Sequence, residues 1–425
     1  MSHRWNRRVE KVMLNDASHT SLREIGLLFV AGVGLMVGCD QLLTEAPEPD
    51  QSFDAPIEGL TNEQLAIFAR GDAAFGEVFT FNTGLGPIFN QASCERCHVG
   101  DGRGHPSTNL KRFGQNLGGG VFDPLIENGG PQLQDRSMPG YPAETIPAQA
   151  NAISERGGPL VVGLGLIESI PDSTILGYAD ANDANGDGVS GTVNLISPPA
   201  FLGVPSGPYN GKYIGRFGRK AGAMNLLQQT ANAYHQDIGI TSDFIPVENH
   251  NPLAGGMGGD PIADPEIPGA TVNDVVFYLQ TLRPPLRRNA DDPEVRGGED
   301  LFASIGCNSC HVPSMKTGPH SIAALSYQEV PLFSDMLLHD MGPDLADNFI
   351  EGEATGTEWR TTPLWGSGIV ANVLGGTPYY LHDGRTSDLR VVIDLHKGEA
   401  DASRIAFQQL PVEDQEALLN FLKSL

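Results

Sequence analysis

Stretches rich in glycine, proline and polar residues separate a small number of segments whose apolar positions keep a regular period. The clearest closes the chain: Leu418, Leu419, Phe421, Leu422 and Leu425 fall on one face of a helix predicted over 412–425. A second helix is predicted over 293–303 and a third over 389–395. The apolar segment 275–279 stops ahead of Pro284 and Pro285, which end any helix that precedes them. Near the start, residues 25–38 (IGLLFVAGVGLMVG) carry no charge and follow Arg23. At 14 residues this run is shorter than the roughly 20 that span a bilayer, so it reads as the apolar region of an export signal. The Glu-, Pro- and Asp-rich residues after it hold too little apolar surface to fold and read as a tether.

Composition sharpens this picture in two ways. Gly 52 and Pro 31 in 425 residues imply long irregular connections between few regular elements, so something besides regular scaffold must organise the core. Lys+Arg 27 against Asp+Glu 52 gives a net charge of -25, which repels phosphate backbones and excludes nucleic acid as a partner. A basic partner or a small neutral substrate suits such a surface better.

The five cysteines are too few for a disulfide framework at this length. One, Cys39, ends Leu35-Met36-Val37-Gly38-Cys39, which resembles the lipobox of bacterial lipoproteins, where cleavage precedes a cysteine whose sulfur carries lipid. Met13 would give a signal of more usual length than Met1. The other four form Cys94-Glu95-Arg96-Cys97-His98 and Cys307-Asn308-Ser309-Cys310-His311. Two thiols at this spacing reach the two vinyl groups of one haem, and the adjacent histidine lies under its iron. Zinc modules place their CxxC pairs about 15 to 20 residues apart, whereas here 209 residues intervene. Neither zinc nor a redox dithiol explains histidine at both fifth positions. Two covalent haems c follow, with His98 and His311 as proximal ligands.

The motifs sit in an internal repeat. Phe89 and Phe302 each stand five residues before the first cysteine, and Arg156-Gly157-Gly158-Pro159-Leu160 echoes Arg360-Thr361-Thr362-Pro363-Leu364. The expected architecture is mainly α, with two tandem cytochrome c-like haem domains, long irregular loops and little strand. The boundaries read as signal peptide 1–38, flexible tether 39–60, first haem domain 61–286 and second haem domain 287–425.

Several longer stretches carry a family resemblance: GLGPIFNQASCERCH (84–98), GGPQLQDR (129–136), GLGLIESIPDSTIL (163–176), GRFGRKAG (215–222), FSDMLLHDMGPDLAD (333–347), EWRTTPLWG (358–366) and LHDGR (381–385). Over about 65–425 the chain resembles the bacterial di-haem cytochrome c peroxidase superfamily, which includes the MauG-type enzymes. It looks closest to the branch called the di-haem oxidoreductase family, described as peroxidases or thiol oxidoreductases. The resemblance implies an exported oxidoreductase in which one haem relays electrons and the other activates a small oxidant such as peroxide. In the peroxidases a His-Asp-Gly motif is followed, fourteen residues after its histidine, by a methionine on the second iron. Here His382-Asp383-Gly384 is followed at that distance by His396. His396 is therefore the expected sixth ligand, with Met341 next and His339 and His382 behind it. A histidine in place of methionine lowers the reduction potential, because imidazole favours ferric iron.

No such residue stands out for the first iron. His105 and His235 are weak candidates, and an open coordination position is the larger expectation. Peroxide cleavage needs a distal base. Glu168, an acid inside an apolar run, is the expected one, with Gln132 and Gln134 as weaker polar candidates. A carboxylate paired to Arg156, or one capping a turn, is the competing reading of Glu168. Asp183, Asn185 and Asp187, ahead of Gly188, match positions 1, 3 and 5 of a calcium loop, although the twelfth position is Asn194 rather than Glu. Trp359 and Trp365 are expected between the haems or in the core. The reading is a lipid-anchored enzyme on the periplasmic side of a bacterial membrane, served by an electron-donor protein or a quinol. The alternatives are a non-catalytic di-haem electron carrier and a MauG-like oxidase that modifies a partner protein.

Overall fold

A turn of helix opens with Thr61 because its hydroxyl accepts from the Gln64 amide while the Gln64 side chain accepts from the Thr61 amide, a reciprocal cap. That helix, α1, runs Asn62–Phe75. The computed structural model describes residues 52–425, so Cys39, the export signal and most of the tether lie outside the described residues. The architecture is mostly helix and loop with little strand. The other α-helices of eight or more residues among those described are α2 (Leu226–Ala233), α3 (Gly269–Thr281), α4 (Pro293–Ser304), α5 (Asp401–Gln409) and α6 (Val412–Ser424). The periodic segments at 293–303 and 412–425 thus become α4 and α6, and 389–395 becomes the short helix Leu389–Asp394. Asp292 caps α4 by accepting from the Glu294 amide, with Pro293 pre-set in the first turn.

The internal repeat takes a physical form that the cysteine spacing hides. Helix α1 packs on α3 and α4 packs on α6. Each crossing passes through a glycine: a Cβ on Gly71 would lie 2.2 Å from the Asp274 carbonyl oxygen, and one on Gly298 would lie 2.0 Å from that of Ala417. Four residues on in each case, Phe75 stacks obliquely on Tyr278 at 5.6 Å and on His98 at 6.1 Å, while Phe302 meets Phe421 at 5.2 Å and His311 at 6.0 Å. The counterpart of Phe302 is therefore Phe75, not Phe89. In the first half a long loop separates this helix from the CxxCH motif, whereas in the second the two are nearly contiguous.

A three-stranded antiparallel sheet of order β2-β1-β3 lies beside the first motif: β1 (Leu110–Gly118), β2 (Val121–Asp123) and β3 (Ala152–Arg156). Its register pairs Arg112 with Ser154 and Leu110 with Arg156, which brings both arginines to the same region of the interior. The larger apolar core joins Phe75, Leu226, Tyr234, Val275 and Tyr278 to Met315, Leu325 and Leu337, and a smaller one gathers Phe302, Phe333, Phe407 and Phe421. Residues 53–57, expected to belong to a free tether, are docked. Phe53 is buried in the larger core, and the Ile57 amide donates to the Thr281 carbonyl. One aromatic anchor plus backbone pairing outweighs the polar composition around it. Among the described residues no helix is long and apolar enough to cross a membrane.

Candidate functional site

Each CxxCH motif forms one tight turn. The His98 amide donates to the Cys94 carbonyl and the His311 amide to the Cys307 carbonyl, both at 3.0 Å. The four thiols are unpaired. Burial pushes Cys94, Cys97 and Cys307 up to about 12, the reverse of the depressed thiolate that a redox dithiol needs. Both histidines are anchored through one ring nitrogen: Nδ1 of His98 lies 2.9 Å from the Pro159 carbonyl oxygen and Nδ1 of His311 lies 2.9 Å from that of Phe333. Such a bond fixes the tautomer and leaves Nε2 as the lone-pair donor. Burial lowers both histidines to about 4, so each is a neutral imidazole, the form that binds metal. The RGGPL motif therefore has a definite task in the first half. Its counterpart carbonyl in the second half comes from Phe333, not from Arg360-Thr361-Thr362-Pro363-Leu364.

Both motifs open on one continuous, predominantly apolar cavity of about 520 Å³. Set into its wall are Arg103, Arg219 and Arg360, all buried; burial lowers each guanidinium pKa, and Arg219 is depressed further by its nearness to Arg103, Arg360 and Arg156. Among the described residues Arg219 donates only to the Gly157 carbonyl, Arg103 donates to the Leu381 carbonyl, and the buried Nε of Arg103 has no hydrogen-bond partner. Asp383 acts on Arg103 and Arg219 and Asp335 on Arg360, but among the described residues none of the three is in ion-pair contact with a carboxylate, and buried cations held this way are costly. Haem propionates are anions of the right kind to compensate them. Paired thiols, anchored neutral imidazoles, an apolar cavity and a spare cationic wall together fit two haems.

His396 lies on this cavity wall. Its Nδ1 sits 2.7 Å from the Val392 carbonyl oxygen, burial lowers its pKa, and its nearness further depresses His311. The imidazole is thus held in the same way as those of His98 and His311. Met341 also lines the cavity, without any comparable anchor. His339 is engaged at both nitrogens, by Glu399 at 2.7 Å and Asp335 at 2.8 Å. Burial opposes its charge, but these partners raise it to about 12, so it is an imidazolium with no lone pair to give. His382 stacks on Trp359 at 3.8 Å, and burial lowers it to about 3. Trp365 lines the cavity as well.

The other expected residues sit elsewhere. His105 bonds Ser107 and packs on Tyr379, and His235 bonds the Val247 carbonyl; neither lines the cavity. Glu168 does not line it either. Its Oε1 accepts from the Leu226 amide at the start of α2, and its Oε2 accepts from Gln280 Nε2 at 2.6 Å, so the carboxylate ties α2 to α3. The Arg156 pairing considered for Glu168 is taken by Glu351. Gln132 does line the cavity, while Gln134 donates to the Gln236 carbonyl. Asp183, Asn185 and Asp187 are solvent-facing, and their oxygens accept from Gly188, Asp187 and Val189 amides of their own loop.

Two features had no local sequence signal. The first is a buried ionic network. Glu351 accepts from Arg112 at 3.1 Å and from Arg156 at 2.5 Å, and Asp347 accepts from the fully buried Lys220 at 2.8 Å. Burial pushes Glu351 up, but Arg112 and Arg156 outweigh it and hold the carboxyl down at about 2. The second is a π turn, Tyr234–Ile238, that widens the end of α2 and carries Gln236 and Asp237 into the cavity wall. Gly239 closes it at φ 73°, and a Cβ there would meet the Ile88 carbonyl oxygen at 2.5 Å.

A fold of this kind around two CxxCH turns defines a di-haem redox protein. The chain belongs to the family described as "Di-haem oxidoreductase, putative peroxidase", which it matches over residues 38–118 and 148–425. No curated protein matches it. Among solved structures it is similar to Kuenenia stuttgartiensis hydrazine synthase pressurised with xenon, at 15% identity over 99% of this chain and 100% of that one, with a TM-score of 0.37. It is also similar to a MauG-like protein associated with microbial copper homeostasis, at 14% identity over 90% and 94% of the two chains, with a TM-score of 0.38.

Proposed function

We propose that this protein is an exported, peroxidase-like di-haem c oxidoreductase, with covalent haems at Cys94/Cys97 and Cys307/Cys310. His98 and His311 are the proximal ligands, His396 closes the second iron, and the first iron keeps an open face. The observation that carries this is the matched anchoring of His311 and His396 on one cavity wall, against the engagement of His105 and His235 elsewhere. Bound haem supplies one-electron chemistry and, where a coordination position is open, a place for a small oxidant. The chain's own part is to hold each imidazole in one tautomer, to exclude water with an apolar lining and to neutralise propionates through Arg103, Arg219 and Arg360. Trp359 and Trp365, both on the shared cavity wall, suit electron passage between the two sites.

A pyridine haemochrome assay is expected to find two haems c per chain, and one or none would refute the assignment. Peroxide turnover with a reduced donor protein separates the enzyme from a mere carrier, which would consume none. The lipid anchor on Cys39 is part of the same reading. Cys39→Ala should move the protein from the membrane fraction to the soluble periplasm, and unchanged fractionation would dismiss the anchor.

A further inference from the structure

We infer that the Asp237 carboxyl is the proton-transfer group at the first haem site, passing the proton of an incoming hydroperoxide from one oxygen to the other; this rests on the reading of that site as the open one. The π turn places Asp237 on the cavity wall, near enough to Cys94 and Cys97 to influence both thiols. Its Oδ1 accepts from Gln132 Nε2 at 2.6 Å, and among the described residues Oδ2 takes no hydrogen bond. The position is fixed from two further sides. The Asp237 carbonyl accepts from the Asn90 and Gln91 amides at 2.8 and 3.0 Å, just ahead of the first attachment motif, and the buried Gln132 also donates to Asn90 Oδ1 and the Gln236 carbonyl. A carboxyl held this firmly beside the attachment turn has the preorganisation that proton transfer needs.

A second cavity of about 470 Å³, lined largely by polar side chains, shares Arg112, Gly222, Asn232, Gln236 and Glu351 with the haem cavity. This neighbouring polar cavity, along α2 and the π turn, is the route by which a small polar oxidant would reach Asp237 without crossing the apolar lining.

The groups facing Asp237 are few. Gln132 is neutral, Cys94 and Cys97 are held protonated and cease to titrate once they carry haem, and Arg112 of β1 is the one charged group that acts on it directly. Burial raises the carboxyl to about 6, against the smaller opposing pull of Gln132 and Arg112. In its ionised form it takes the proton from the peroxide oxygen facing the haem and returns it to the far oxygen. That oxygen leaves as water when the O–O bond breaks with both of its electrons. The whole turnover, hydrogen peroxide plus two protons and two electrons giving two waters, draws its electrons from a reduced donor protein, and the carboxyl is regenerated.

Hydrogen cyanide must also lose a proton to bind, so its binding rate reads the same group without turnover. In the holoprotein that rate should rise with pH as Asp237 ionises. Asp237→Asn should abolish the inflection and lower peroxide turnover by about 10²- to 10⁴-fold, with the resting spectra of both haems unchanged, while Asp237→Glu should keep an inflection. If Asp237→Asn retains both the inflection and the rate, the carboxyl is structural and the open-site reading survives. If the wild type binds no cyanide even with its second haem reduced, the open-site reading fails and this assignment falls with it.

Discussion

Replacing Glu351 with alanine is expected to lower stability by about 3–5 kcal/mol, the usual cost of removing one partner from a buried ion pair. Against a total of roughly 5–15 kcal/mol for an ordinary domain, that is enough to threaten the fold. Arg112 would lose its carboxylate outright, and Arg156 would retain only Asp347, at 3.9 Å. The same carboxyl sets the acid limit. Its pKa is about 2 in the fold and about 4.3 in the unfolded chain. Its contribution is therefore complete above the unfolded value and is lost as pH falls through about 2. Denaturant titrations between pH 7 and 2 should show a lower plateau and a flatter acid limb in Glu351→Gln than in the wild type. Coincident curves would mean that the network is neutral for stability.

His396→Ala is expected to convert the second haem from low-spin to high-spin and to raise its reduction potential, because the imidazole that favours ferric iron is gone. Met341→Leu should leave that spectrum as it is, since Met341 shares the wall but not the anchoring. Optical spectra and potentiometry of the two variants check this. A second haem that remains low-spin in His396→Ala would pass the assignment to Met341.

The two CxxCH motifs were legible because their residues are contiguous in the chain, and α4 and α6 because their apolar faces keep a helical period. The repeat was legible only in part. Its physical core is a glycine followed four residues later by a phenylalanine, Gly71 with Phe75 and Gly298 with Phe302, and a loop of different length in each half breaks its spacing to the cysteines. Glu168 drew attention as an acid among apolar neighbours, but its partners, Leu226 and Gln280, are far along the chain. The Glu351 network and the Asp237–Gln132 contact likewise join segments more than 100 residues apart, where no local pattern marks them.

The most direct test of two haems with unequal coordination is the electron paramagnetic resonance spectrum of the oxidised, purified wild type. Two irons held as described should give one high-spin signal from the His98 haem and one low-spin bis-imidazole signal from the His311/His396 haem, in equal amounts per chain. Two low-spin signals that persist after one-electron reduction would contradict the account and leave an electron carrier in its place.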